Sequence, residues 1–209
     1  MSIQWIDLSI SLDEDTLPFP GDEPLKLEWK ASIKKDGYRL SRLSTNMHLG
    51  THIDFPSHGL NRPFNFETTD MVRNGNCIFV NPKEGCIRTK DIQMAYQMID
   101  KPEHVLIIAT GHERHLHTRQ YFEYPKFEQS IFSFLQEHKI HILGADLPSF
   151  EYVNEAGFSM HNDCFNQDMC LVENLVNLNR LSSWFEWIIL PLPIEGIEAS
   201  LIRPIARNL

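Results

Sequence analysis

The chain has no surplus of positive charge, no Cys-x-x-Cys pair and no apolar run of membrane-spanning length, and each shortage removes a class of protein. Lysine and arginine number 19 against 28 aspartates and glutamates, a formal charge of −9, and no basic cluster stands out. A nucleic-acid surface is therefore not expected. Cys77, Cys86, Cys164 and Cys170 form no metal or redox pair, and a chain of 209 residues needs no disulfides to hold a core, so buried or incidental thiols are expected. No stretch reaches the roughly 18 apolar residues that cross a bilayer. Met1 to Asp7 lacks the basic start and apolar centre of a secretory signal. A cytoplasmic protein with no membrane partner is the expectation. Repeats, low-complexity tracts and Gly/Ser-rich linkers are also missing, so residues 1–209 are expected to form one domain.

What is present is a mixed pattern. Val105 to Ala109, Ile140 to Leu143 and Trp187 to Leu192 are short apolar runs rich in branched residues, as buried strands are. Thr89 to Met98 predicts a helix with Thr89 as its cap and Ile92, Ala95, Tyr96 and Ile99 on one face. Phe127 to His138 predicts another, with Phe127, Ile131, Phe134 and Leu135 aligned. The first 80 residues read as strands and turns punctuated by Pro18, Pro20-Gly21 and Pro24. The fold class is α/β.

Chemistry concentrates in His48-Leu-Gly-Thr-His52-Ile-Asp54-Phe-Pro-Ser-His58. Gly50, Thr51, Ile53 and Pro56 disfavour a helix, so Ser44 to Phe55 is read as an extended strand. Side chains alternate in a strand, which would set His48, Gly50, His52 and Asp54 on one face with the glycine leaving room for an ion. Two imidazoles and a carboxylate suit zinc, manganese or iron and leave positions open for water and substrate. His58 follows Pro56 in a turn, so parity does not orient it; it is either a further ligand or a proton-transfer group.

The segment resembles the core motif of the cyclase family of metal-dependent hydrolases, the family of bacterial kynurenine formamidases and isatin hydrolases. His48, Gly50, Thr51, His52, Asp54, Pro56 and His58 fill every fixed position of H-x-G-T-H-x-D-x-P-x-H. Asp7-Leu-Ser-Ile10 with Pro20-Gly21-Asp22, the turn Gly144-Ala-Asp146-Leu-Pro-Ser149, and the closing Pro191-Leu-Pro-Ile194 and Arg203-Pro-Ile-Ala206 are similar to further family segments. His161, followed twelve residues later by Glu173-Asn174-Leu175, fits the later motif. On one helix that spacing would separate the pair by about 18 Å, so the chain must turn between them, and Asn166-Gln-Asp168 supplies the turn chemistry. The resemblance implies a cyclase-type domain with a mixed sheet and flanking helices. It implies one or two divalent ions, zinc or manganese, held by His48, His52, Asp54, His161 and Glu173. It also implies proton transfer by His58, an aromatic at Phe19 facing the substrate, and a homodimer or higher homo-oligomer.

Other signals are weaker. His112-Glu-Arg-His115-Leu-His117 lacks the second histidine of H-E-x-x-H, since Leu116 stands there. The family has T-G-W where this chain has Thr110-Gly111-His112, so His112 either lines the pocket or serves the structure. Asp146 and Ser149 lack a G-x-S-x-G elbow and are read as a turn that shapes the pocket; Glu151, where the family has aspartate, receives no role. With no nucleotide loop or flavin motif, the expected reaction is hydrolysis of a small amide by metal-activated water. The expected substrate is an aryl formamide such as N-formylkynurenine, with Phe19, Phe55, Phe64 and Phe66 as an aromatic supply. The alternatives are a cyclic amide such as isatin, a lactone, ring closure or dehydration on the same site, and a non-catalytic metal-binding protein.

Overall fold

Val105–Ala109 is apolar at every position because both of its faces are covered. Leu106 and Ile108 join a core with Ile92, Phe134 and Leu143, while Val105, Ile107 and Ala109 face a second core with Ile53, Phe185 and Trp187. Such burial on both sides is what a central strand of a parallel sheet requires. The computed structural model describes residues 4–155 and 157–209.

In chain order the strands are β1 (Ile6–Asp7), β2 (Lys26–Ala31), β3 (Leu40–Ser44), β4 (His52–Asp54), β5 (Val72–Phe79), β6 (Cys86–Ile87), β7 (Val105–Ala109), β8 (Lys126–Phe127), β9 (Ile142–Ala145), β10 (Cys170–Glu173), β11 (Trp184–Ile188), β12 (Ala199–Leu201) and β13 (Ile205–Asn208). The helices are α1 (Ile33–Asp36), α2 (Thr89–Tyr96), α3 (Ile131–Glu137) and α4 (Ser159–Phe165). Nine strands form one mixed sheet in the order β1-β13-β11-β5-β7-β9-β10-β4-β12. The run β5-β7-β9-β10 is parallel and its flanks are antiparallel. This is the α/β architecture with flanking helices that the sequence led us to expect. No helix among the described residues is long and apolar enough to cross a membrane.

Several local expectations are corrected. Ser44 to Phe55 is not one strand: β3 ends at Ser44, and β4 starts only at His52. Gly50 between them is left-handed at φ 68°, which breaks the alternation. It leaves no gap between imidazoles either; a Cβ there would meet Leu12 Cδ2 at 2.4 Å. Phe127 belongs to β8, and α3 begins at Ile131. Thr89 is the first residue of α2 and not its cap. Its backbone N–H donates to the Glu128 carboxylate at 2.9 Å, and its hydroxyl bonds with that of Ser130 at 2.7 Å. The acceptor for that helix end thus comes from a distant part of the chain, a negative charge at the positive end of the helix dipole.

Candidate metal centre

The register of the sheet assembles the site. β4 lies between β10 and β12, antiparallel to both, and Glu173 of β10 stands directly opposite His52 of β4. Asp54, two residues on, projects to the same side as His52. His161 comes from α4, which leads to β10 through a turn at Asn166 to Asp168, where Asp168 adopts φ 56°. His48 reaches the cluster from the irregular segment before Gly50, and His58 from the short 3-10 turn Pro56–His58. All six residues the sequence nominated as ligands or proton carrier meet in one place.

The distances fall into two groups that share Asp54. Donor atoms of His48, Asp54 and His58 lie within 4.8 Å of one another, and so do those of His52, Asp54 and Glu173. His48 Nδ1 is 2.9 Å from Asp54 Oδ1, and His52 Nε2 is 3.3 Å from the same oxygen and 3.4 Å from Glu173 Oε2. His161 Nε2 is 3.2 Å from Glu173 Oε1 and 3.8 Å from Asp54 Oδ2. His52, Asp54, His161 and Glu173 are buried. His52 Nε2 and Asp54 Oδ1, although close, have no hydrogen-bond partner. Buried polar atoms without partners are costly. A divalent cation between nitrogen and oxygen lone pairs would satisfy them, so the donor set fits a metal and suits zinc, manganese, iron or cobalt.

The electrostatics agree. Burial alone would lower the pKa of His52, but the Asp54 and Glu173 carboxylates outweigh it and hold the imidazole well above its usual range. His48 is raised too, burial again being overcome, by the nearby Asp54 carboxylate. Burial opposes ionisation of Asp54, yet the His52 and His48 imidazoles at close range hold it well below the usual carboxylate range. His58 goes the other way: burial, with His48 and His161 adding, pushes its pKa down. A site that attracts cationic charge thus lies beside one imidazole kept neutral.

The cluster opens into a cavity of about 340 Å³ lined also by Phe19, Asp22, Ser149, Glu151 and Phe158. Phe19 is the one member of the expected aromatic supply that lines it. Phe55 alternates away from Asp54 and packs with Phe64 and Phe66, ring centroids 5.8 and 5.7 Å away, against the second core. Phe158 was not nominated by the sequence; it stacks on His161 at 4.3 Å and meets His58 edge-on at 4.8 Å. No motif or spacing marks it, and only its packing does. Asp146 does not line the cavity and ties the loop after β7, accepting from the Thr110 backbone at 2.8 Å and hydroxyl at 2.9 Å. His112 lines a different cleft, with Thr110 and Arg114, and donates from Nε2 to the Tyr121 carbonyl at 2.8 Å. It serves the structure.

Comparison with known proteins places this arrangement. A kynurenine formamidase from Bacillus mycoides is 27% identical over 208 residues, covering 98% of this chain and 97% of its own. One from Bacillus cytotoxicus is 26% identical over 216 residues, with 99% and 98% covered. Among solved structures, isatin hydrolase A from Ralstonia solanacearum superposes with a TM-score of 0.84 at 18% identity, over 99% of this chain and 92% of that one. The family model described as "Putative cyclase" matches residues 6–152. That match takes in more than half of the chain and the whole segment that supplies His48, His52, Asp54 and His58, and the chain belongs to the cyclase family.

Proposed function

We propose that this protein is a metal-dependent amide hydrolase acting on an aryl formamide, with N-formylkynurenine as the leading substrate and zinc or manganese as its ion. The observation that carries the reading is the convergence of imidazole and carboxylate donors, two of them buried without hydrogen-bond partners, at the floor of a cavity walled by Phe19 and Phe158. The full-length similarity to proteins named kynurenine formamidase supports the formamide over the cyclic amide, because the likeness to isatin hydrolase speaks for the fold alone.

His48, His52, Asp54, His161 and Glu173 would hold the ion or ions, with Asp54 common to both groups of donors. A divalent cation there supplies Lewis acidity, polarising a carbonyl oxygen and acidifying water. Asp54 and Glu173 keep the attached imidazoles oriented, and Phe19 and Phe158 present ring faces and edges to a flat aryl group while excluding water. His58, neutral at ordinary pH, accepts a proton from the attacking water and returns it to the departing aniline nitrogen as the formyl C–N bond breaks. The products are formate and the arylamine. We also propose a homo-oligomeric assembly, supported by a hairpin whose apolar side chains stand exposed.

The test is formate release from N-formylkynurenine and formanilide by the metal-loaded protein, with a chelated sample beside it. Metal-dependent release at neutral pH is expected. Turnover of isatin or a lactone without any formamide turnover would replace the substrate; no metal-dependent turnover on any of them would favour ring closure, dehydration or a non-catalytic protein.

A further inference from the structure

Behind His52 lies a buried chain of hydrogen bonds that the proposed reaction does not use. The Gly50 carbonyl oxygen accepts from His52 Nδ1 at 2.8 Å and from Asn174 Nδ2 at 2.9 Å. A carbonyl carries no proton, so Nδ1 must hold a hydrogen, and when the ring carries only that one, Nε2, facing Asp54 and Glu173, is the nitrogen open to a metal. The same reasoning orients Asn174: its amide nitrogen must face the Gly50 oxygen, and its Oδ1 then accepts the Tyr121 hydroxyl at 2.9 Å.

Each member is held in turn. The Asn174 backbone is left-handed at φ 58°, its N–H donates to the Leu147 carbonyl at 2.9 Å, and its carbonyl accepts the Thr51 hydroxyl at 2.7 Å. Asparagine is among the few side chains that tolerate that backbone. The Tyr121 ring is stacked on His112 at 5.3 Å, and its backbone carbonyl is tied to the same imidazole. Tyr121 and Asn174 are both buried, which shields their hydrogen bonds from bulk water.

We propose that Tyr121 and Asn174 are positioning residues for His52, clamping the Gly50 carbonyl and through it the tautomer and direction of the imidazole. The inference rests on His52 being a metal ligand. Partners of this kind behind a ligand are worth about 10- to 100-fold in metal affinity.

Cobalt(II) affinity of the full chain tests it, alongside the melting temperature of the metal-free protein and the ring 15N shifts of His52. Tyr121→Phe keeps the ring and its stacking, and Asn174→Gly keeps the left-handed backbone while removing the amide. Each is expected to weaken cobalt binding about 10- to 100-fold and, in metal-free protein read at a pH above the raised His52 pKa, to move the His52 shifts from a single Nδ1-protonated form towards a mixture. If one variant does not fold, the other decides. A lowered melting temperature with unchanged cobalt affinity and unchanged shifts would reduce the pair to structural residues and overturn the inference. His52→Ala separates the two levels: retained cobalt affinity there would overturn the ligand reading itself, whereas lost affinity there with none lost in the other two variants would overturn only the positioning role.

Discussion

Asp54 is shared by both groups of donors, and its position between His48 and His52 makes it the residue whose loss should be felt most widely. Asp54→Ala and His52→Ala are expected to abolish stoichiometric metal and activity together, read by elemental analysis of the purified variants; full metal content would remove them from the ligand set. His58→Ala discriminates two roles. As a proton carrier it should keep the metal and lose on the order of 10²–10⁴ in turnover, whereas loss of an ion would make it a ligand in the group with His48 and Asp54. The raised pKa values of His48 and His52 predict a pH dependence for the metal-free protein. Above 6.5, the ordinary histidine value, the folded chain still holds protons on these rings that the unfolded chain has released. Stability therefore falls as pH rises through the raised values, because each deprotonation leaves a buried carboxylate less well paired. Melting curves of chelated protein from pH 6.5, the ordinary histidine value, upwards should show that decline, and added metal should reduce it; a chelated protein that grew more stable over that range would contradict the electrostatic account.

At the level of elements, the strand that carries the site is shorter than its sequence suggested, and the reason is Gly50. Composition around it favours extended backbone, but a left-handed residue ends any run of alternating side chains, and neither φ nor the nearness of Leu12 can be read from residue types. Gly50→Ala should cost about 1–2 kcal/mol from the left-handed backbone alone, a drop of a few degrees in Tm for a chain of this size. Leu12, flexible and partly exposed, can yield to the new methyl. An unchanged Tm would mean that the backbone at 50 relaxes out of that conformation. The helices show the same division: the apolar face of α2 was legible in Ile92 and Tyr96, but the carboxylate at its first turn comes from Glu128, too far along the chain for a local signal.

For the whole molecule the unexplained surface is the β2–β3 hairpin, where every residue except Ala31 is exposed. Leu27 pairs with Leu43, and Trp29 with Ser41, on alternate positions, while Glu28 pairs with Arg42 between them. One side is therefore apolar and the other charged. A two-stranded ribbon is marginal on its own in water, and a second copy of the chain over the apolar side would bury it. Light scattering should show an oligomer that Trp29→Ser with Leu43→Ser shifts towards monomer; a monomeric unaltered chain would refute the assembly. The sequence by itself determined the α/β class and the strand at Val105–Ala109, because apolar periodicity is a property of residue types and local spacing; it nominated His48, His52 and Asp54 by ligand chemistry, and His161 and Glu173 only through the family resemblance. Only the tertiary structure decided that Glu173 stands opposite His52, that Phe158 and not Phe55 walls the cavity, and that His112 turns from the site. Those facts depend on strand register and on which faces pack together, and the first is settled by contacts between segments more than a hundred residues apart.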